Sequence, residues 1–392
     1  MAIITNNAFS HPEKDDSFGS IRDALPTDAA QVSEIYRQVY NNTYSYTEYT
    51  DSDYLMKDIR NKWTGWYVMV PRGEYDQIAG CVSTEVDPIH HRAYGRGLMM
   101  HPKYQGLGVG SRLGQYGFER LTATYGDKIR FFYSENRAVG NSKSLKVVEN
   151  IGFKPLGILP YKDVFFNKRE SPVLMALHSS HAWKNRKASI RIIPRLIPLK
   201  AYIDKVYKRK TKGDDVRVEK VNLTRARTFQ KIIITKTNKP FGYVLHTFTC
   251  SKTGESLDIT VNLQNLNAEN MHIHCSSPIT AKMLMEFMMN YFKAHGVSKK
   301  ASHRIFNKKK YHMGLPIQYI EGYCPSDKPE IQQAFIDAGL RPLGWIPTWE
   351  RHPSGTSIDH VIFGWSRQQF DPTSIAHTRA TKRLANTLFN TS

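Results

Sequence analysis

The sequence predicts a mixed α/β protein built as two tandem domains, each a central mixed sheet flanked by helices. Three observations carry this. A chain of 392 residues with 40% hydrophobic content is long enough for about two cores, at roughly 100 to 200 residues per domain. Apolar positions fall by turns into strand spacing and helical spacing along the chain. Finally, Gly152-Phe-Lys-Pro-Leu-Gly-Ile-Leu-Pro160 returns as Gly339-Leu-Arg-Pro-Leu-Gly-Trp-Ile-Pro347. Each copy follows a helical stretch and precedes a strand, as an internal duplication requires.

Taken in order, Ser20 to Asp23 reads as a short strand, and Thr27 and Asp28 offer oxygens that can cap the free NH groups of a helix start. Ala30, Val32, Ile35, Tyr36 and Val39 then recur at helical spacing. A tyrosine-rich segment with Tyr40, Tyr44, Tyr46, Tyr49 and Tyr54 leads to strand-like runs at Gly65 to Val70, Ile78 to Val86 and Ala93 to Met100. A glycine turn opens a helix from about Gly108 to Tyr125. It is followed by a strand Lys128 to Ser134, a helix Asn141 to Asn150, and strands Phe153 to Leu159 and Pro172 to Leu177. In the second half the repeat sets helix Pro329 to Ala338 and strand His360 to Trp365 against Ser142 to Ile151 and Pro172 to Leu177. It also lays Ile317-Gln-Tyr-Ile-Glu-Gly-Tyr323 beside Ile129-Arg-Phe-Phe-Tyr-Ser-Glu135. The expected division is a polar extension 1–18, a first domain 19–177, a basic linker 178–215, a second domain 216–370 and a tail 371–392.

With 11% aromatic residues and moderate Gly and Pro, the composition excludes collagen-like, low-complexity and disulfide-scaffold classes. Cys81, Cys250, Cys275 and Cys324 show no C-x-x-C spacing, which argues against a zinc ribbon or a disulfide framework and fits a reducing cytoplasm. Met1 to Ser20 is polar, with acids at Glu13, Asp15 and Asp16, and lacks the apolar core of a signal peptide. No run approaches the roughly 18 apolar residues of a membrane span, so no membrane partner is expected. The net charge is +20, yet residues 1–177 hold 21 basic and 20 acidic residues while 178–392 hold 34 and 15. The basicity belongs to the second half. Lys184 to Lys236 has 17 Lys and Arg against four acids, and Lys299, Lys300, Arg304, Lys308, Lys309 and Lys310 form a later cluster without an acid.

The sharpest local signal is Leu98-Met-Met-His-Pro-Lys-Tyr-Gln-Gly-Leu-Gly-Val-Gly110, a strand running into a glycine turn that opens a helix. Close glycines let the backbone approach a ligand, and the free NH groups and positive dipole of a helix start favour a pyrophosphate. A plain tight strand-to-helix connection uses the same residues. Gln105-x-x-Gly108-x-Gly110 resembles the acyl-CoA pyrophosphate signature of the GNAT family of N-acetyltransferases, preceded by the family-like Leu98-x-Met100-x-Pro102. Asn141-x-x-Ser144-x-x-Val147-Val148-x-x-x-Gly152-Phe153 resembles the family's second motif, and Ile21 to Ala30 its first strand and helix. The resemblance spans about residues 19–177.

It implies a mixed sheet splayed between its fourth and fifth strands, with acetyl-CoA in the gap. Leu98 and Met100 would offer backbone groups to the pantetheine arm. Gln105, Gly106, Gly108, Val109, Gly110 and Ser111 would surround the pyrophosphate, and Asn141 and Ser144 would lie near the thiol end. The implied reaction is direct attack of a neutral primary amine on the thioester. It needs a base for the ammonium, a donor for the oxyanion and an acid for the thiolate. The position that often carries the tyrosine acid is Val148, so Tyr133 and Tyr161 are the substitutes, unless they are simply packed aromatics. Glu85 is the first candidate base, ahead of Asp87, His90 and His91, with solvated strand-end residues as the plainer reading. Tyr40 to Tyr54 falls where the family builds its acceptor wall; such rings can hold a cationic amine, stack on a base, or form ordinary core.

No Gln/Arg-x-x-Gly-x-Gly occurs in the second half. At the corresponding place a long helix opens with Ser276-Ser277-Pro278-Ile279-Thr280, a good cap but no phosphate cradle, and Met283, Met285, Met288 and Met289 read as core. His272, His274 and Cys275, like His90 and His91, lack further ligands, so no metal is expected. This half reads as a degenerate GNAT-like copy serving recognition, packing or homodimer contacts. The leading expectation is an acetyl-CoA-dependent N-acyltransferase for an amine acceptor of unidentified kind. The basic half leaves a nucleic acid or an acidic protein open as acceptor or partner. The alternative is a nucleic-acid-binding protein whose acyl-CoA site is regulatory or vestigial.

Overall fold

Among the described residues, each half of the chain contributes seven strands to one continuous 14-stranded sheet. The computed structural model describes residues 17–139, 143–208, 211–224, 231–295, 317–375 and 377–389. Asn141, the cluster from Lys299 to Lys310 and residues 1–16 of the polar extension lie outside the described residues.

The first half runs β1 (Gly19–Asp23), α1 (Ala29–Val39), α2 (Ser52–Ile59), β2 (Thr64–Pro71), β3 (Gly80–Asp87), β4 (Arg92–Met100), α3 (Val109–Tyr125), β5 (Phe131–Asn136), α4 (Lys143–Ile151), β6 (Lys154–Ile158), a hairpin β7 (Asp163–Phe165) and β8 (Lys168–Glu170), and β9 (Val173–His178). The second runs β10 (Ser189–Ile192), α5 (Ile197–Val206), β11 (Asp215–Val218), β12 (Ile232–Asn238), β13 (Tyr243–Cys250), β14 (Ser256–Asn262), β15 (Asn267–His274), α6 (Pro278–His295), β16 (Tyr319–Pro325), α7 (Pro329–Asp337), β17 (Arg341–Arg351), β18 (Ser357–Ser366) and α8 (Arg379–Phe389). Helix α1 buries Ala29, Val32, Ile35 and Tyr36, the face its spacing predicts. Helix α2, hidden inside the tyrosine-rich segment, is capped by the Asp51 carboxylate, which accepts from Asp53 N and Tyr54 N.

The sheet order is β1-β2-β3-β4-β5-β9-β6, then β17-β18-β16-β15-β14-β13-β12. The second list repeats the first in reverse, so the halves meet at β6 and β17, which pair antiparallel through Gly157 and Gly344. These are the matching glycines of the two nonapeptides. A Cβ on Gly344 would lie 2.6 Å from the Leu156 carbonyl oxygen and 2.7 Å from Gly157 Cα, closer than real Cβ contacts come. Backbone geometry repeats as well: Gly152 and Gly339 have φ of 108° and 88°, and Tyr161 and Thr348 have φ of 56° and 57°. One apolar core spans the junction, joining Leu156, Ile158 and Met175 to Trp345, Ile346 and Phe363.

The segment 178–215, expected as a linker, is folded. Ile190 and Ile192 of β10, Leu196 just before α5, and Leu199 and Ile203 of α5 are buried. Arg186 is 3% exposed at its side chain and ion-pairs with Asp214 and Asp359, both at 2.6 Å. The basic residues there alternate with apolar ones, so the run forms an amphipathic strand and helix whose cations find carboxylates. The expected tail carries α8, whose Leu384 and Ala385 are buried and which packs on β6 and α5. No helix among the described residues is long and apolar enough to cross a membrane.

Candidate active site

Strand β4 pairs with β5 only at Arg92 to Tyr94 against Phe131 to Tyr133, while it stays paired with β3 as far as Met100. Past Tyr94 the fourth and fifth strands part, leaving a gap where the resemblance implies one. At the end of β4 the chain turns through Gly106 (φ 85°) and Gly108 (φ 78°), and Gly108 starts α3 without any side-chain cap. A Cβ at either glycine would meet nothing within 4 Å. The demand for glycine is therefore conformational, and open space lies beside uncapped helix NH groups, where an anion is favoured. The Gln105 amide Nε2 donates to the Met100 carbonyl oxygen at 3.0 Å, tying the turn to the strand end. Val109 is buried beneath the turn, Gly110 sits against Met100, Ser111 is exposed in the first helical turn, and Leu98 is partly exposed on β4. Ser144, exposed on α4, donates its hydroxyl to the Arg137 carbonyl oxygen at 2.6 Å. These features fit a pyrophosphate-bearing acyl carrier lying along the gap.

The corresponding helix start in the second half is filled by its own chain. One Glu255 carboxylate oxygen accepts from Ser276 N at 2.8 Å, Ser276 Oγ at 2.8 Å and Ser277 N at 2.9 Å. The Ser277 backbone NH leads the groups that hold this carboxyl down to about 2. A tethered anion thus occupies the helix end that the first half leaves open, a physical reason for the missing glycine motif.

The gap opens into a cavity of about 1360 Å³ walled by both halves of the chain. On its wall, Lys162 Nζ lies 2.9 Å from Glu135 and 3.1 Å from both Glu269 and Glu321. Tyr319 donates its hydroxyl to the other Glu321 oxygen at 2.7 Å, and Tyr46 donates to Asp163 at 2.7 Å. Burial pushes Glu135 and Glu321 up to about 7 and Asp163 up to about 6, against the pull of Lys162. Burial disfavours the Lys162 ammonium, yet the three glutamates hold it well above the usual lysine range.

The duplication places a second foursome at the matching backbone positions: Tyr94 for Glu269, Tyr133 for Glu321, Tyr323 for Glu135 and Trp349 for Lys162. Here the contacts are aromatic. Tyr94 stacks on Tyr133 at 4.9 Å, Tyr133 meets Trp349 edge-on at 5.1 Å, Trp349 stacks on Tyr323 at 4.9 Å, and the Arg92 guanidinium lies 3.8 Å over Trp349. Burial pushes Tyr133 up to about 12, so its phenol is protonated at neutral pH.

Of the other predicted residues, Glu85 lies on the cavity wall but is half exposed and ion-paired to Arg96 at 2.8 Å, and Arg96 also holds Asp58 at 2.8 Å. Asp87 pairs with Arg92 at 2.9 Å. His90 Nδ1 accepts from Arg351 N at 3.2 Å, and burial lowers the pKa of His91. Tyr161 packs on Phe370 and accepts from Asp371 N, and it is not among the residues lining the cavity. Tyr40, Tyr44, Tyr46 and Tyr49 do line it while also forming a packed cluster, with Tyr40 on Tyr44 at 4.6 Å and Tyr36 on Tyr49 at 5.4 Å. These rings thus line the cavity and pack as core at once. His272 stacks beside His274, which pairs with Asp258 at 3.3 Å. No metal-binding group of His, Cys, Asp or Glu occurs among the described residues.

Sequence reasoning passed over Glu135, Lys162, Glu269 and Glu321. A signal existed: Glu135 closes one, and Glu321 interrupts the other, of the two mainly apolar heptapeptides that the duplication aligns.

Residues 30–153 match the model of the Acetyltransferase (GNAT) family. The match to a GNAT acetyltransferase domain lies within the first half of the chain. No curated protein matches the chain. Among solved structures, it is similar to ribosomal-protein-S5-alanine acetyltransferase from Vibrio fischeri (15% identity, TM-score 0.36, covering 43% of this chain and 96% of that one). It is also similar to spermidine N-acetyltransferase from Vibrio cholerae in complex with CoA and spermine (19%, 0.36, 42% and 98%). A third is a putative acetyltransferase from Salmonella typhimurium with acetyl-CoA (20%, 0.35, 41% and 93%).

Proposed function

We propose that the chain is an acetyl-CoA-dependent N-acyltransferase whose chemistry takes place in the first domain, on a primary amine entering from the cavity between the halves. The observation that carries this reading is the gap between β4 and β5, which joins an uncapped glycine turn at one end to a carboxylate-lined chamber at the other. Leu98 and Met100 offer backbone groups to the pantetheine arm, Gln105 to Ser111 surround the pyrophosphate, and Ser144 lies toward the thiol end.

Glu135 takes the base role in place of Glu85: both line the chamber and both are ion-paired, Glu85 to Arg96 and Glu135 to Lys162, but Glu85 is half exposed whereas burial raises the Glu135 carboxyl to about 7. Tyr133, two residues away on the same face of β5, keeps its proton at pH 7 and can give it to the departing thiolate. In the balance, a C–N bond forms and a C–S bond breaks: the ammonium gives one proton to Glu135 before attack, the Tyr133 phenol protonates the departing sulfur, and the second proton leaving the nitrogen restores the phenol, so that amide, CoA thiol and protonated Glu135 remain.

Acetyl-CoA should raise the melting temperature, and labelled acetyl should reach an amine in a panel. Gly108→Val should abolish that thermal shift, since a β-branched residue at φ 78° costs roughly 1–3 kcal/mol and deforms the turn. Turnover retained in G108V would contradict the site assignment.

A further inference from the structure

The chamber holds more carboxyl groups than acyl transfer requires. Glu48, Glu135, Asp163, Glu269 and Glu321 all line it, and Lys162 is the cation shared by three of them. The arginines on the same wall are engaged by other carboxylates: Arg96 by Asp58 and Glu85, Arg92 by Asp87, Arg137 by Glu170, and Arg191 by Glu219.

Glu48 marks where a ligand's cation would sit. It is 8% exposed, its Oε1 accepts from the Tyr243 hydroxyl at 2.9 Å, and its Oε2 is buried with no hydrogen-bond partner among the described residues. A buried carboxylate oxygen without a donor is costly, on the order of 1–3 kcal/mol or more, and a ligand ammonium brings three donors and a positive charge. Burial first, and then Glu48 and Glu269 together, raise the Tyr243 phenol, so carboxylates from both halves act on one hydroxyl. Tyr46 lines the same wall, where an aromatic ring suits a cationic amine.

Resting on the N-acyltransferase reading, we propose that the acceptor is a small linear diammonium compound, one amine presented in the gap between β4 and β5 and the other held by Glu48 and Glu269. The second half, without a phosphate cradle of its own, then serves as half of the acceptor site. A monoamine would fill the reacting position and leave the second cation position empty.

The test is calorimetric titration of the full chain, at low salt and without acetyl-CoA, with 1,4-diaminobutane, 1,6-diaminohexane and butylamine. A diamine should bind at least about tenfold tighter than butylamine. Glu48→Gln, whose amide oxygen can still accept from Tyr243, and Glu269→Gln should each bring the diamine close to the monoamine, leaving the acetyl-CoA thermal shift unchanged. Equal binding of diamines and butylamine by the native chain, or diamine selectivity intact in E48Q, would overturn the proposal. If acetyl-CoA binds and butylamine is acetylated as well as any diamine, this proposal falls and the N-acyltransferase reading stands. If diamines bind selectively but acetyl-CoA gives no thermal shift, the transfer reading falls instead.

Discussion

At the scale of single residues, Glu135 and Tyr133 show one cause serving two ends. Burial lifts the carboxyl to about 7 and the phenol to about 12, which leaves one group ready to take a proton near neutrality and the other still holding one. The charged groups acting on Glu135 are Lys162, Asp163 and Glu269, and the first of these keeps its shift from going higher. Because the competent form is the carboxylate, transfer should rise as pH increases through about 7 and level off above it. Glu135→Gln should lower kcat/KM by roughly 100-fold and remove that rising limb, whereas a loss of rate with the limb intact would assign the titration elsewhere. The absent tyrosine at Val148 was legible in the sequence because it belongs to a local motif. The tuning of Glu135 was not, since its partner Lys162 lies 27 residues along the chain and Glu269 belongs to the other half.

At the scale of elements, the junction of β6 and β17 decides how the halves share one sheet. The repeated nonapeptides announced a duplication, and the glycine turn announced α3, because both signals lie within a few consecutive residues. Neither told that Gly157 and Gly344 would face each other, for strand register between distant segments is set by packing on both sides. The segment 178–215 misled for the opposite reason: its charge count masks Ile190, Ile192, Leu199 and Ile203, which sit at the spacing of a half-buried strand and helix. Helix α2 was hidden by tyrosines that pack rather than alternate. Gly344→Val would drive side-chain atoms into the Leu156 carbonyl and Gly157 Cα, opening the junction. Denaturant melts should show a loss of about 1–3 kcal/mol. An unchanged midpoint in G344V would mean that the contact between β6 and β17 bears little weight.

At the scale of the molecule, the net charge of +20 is not simply a solvated basic half beside a neutral one. Arg186, Lys187, Arg191 and Lys200 of the basic run each reach a carboxylate of the second half, and the acidic cluster about Lys162 draws Glu135 from one half and Glu269 and Glu321 from the other. Cutting the chain after residue 178 therefore removes more than a neighbour. It strips the pairing edge of β6, exposes Leu156 and Ile158, now fully buried, and takes away Pro155's hydrogen bond from the Tyr202 hydroxyl. It also leaves Lys162 with one of its three glutamates, a buried ion pair made incomplete. A bare apolar strand edge invites pairing with another chain. The fragment 17–178 should accordingly aggregate, or associate through β6, and melt well below the full chain, as light scattering and thermal unfolding would show. A monomeric fragment that melts with the full chain and is still stabilised by acetyl-CoA would mean that the first domain folds on its own and that the second is an addition to the acceptor site alone.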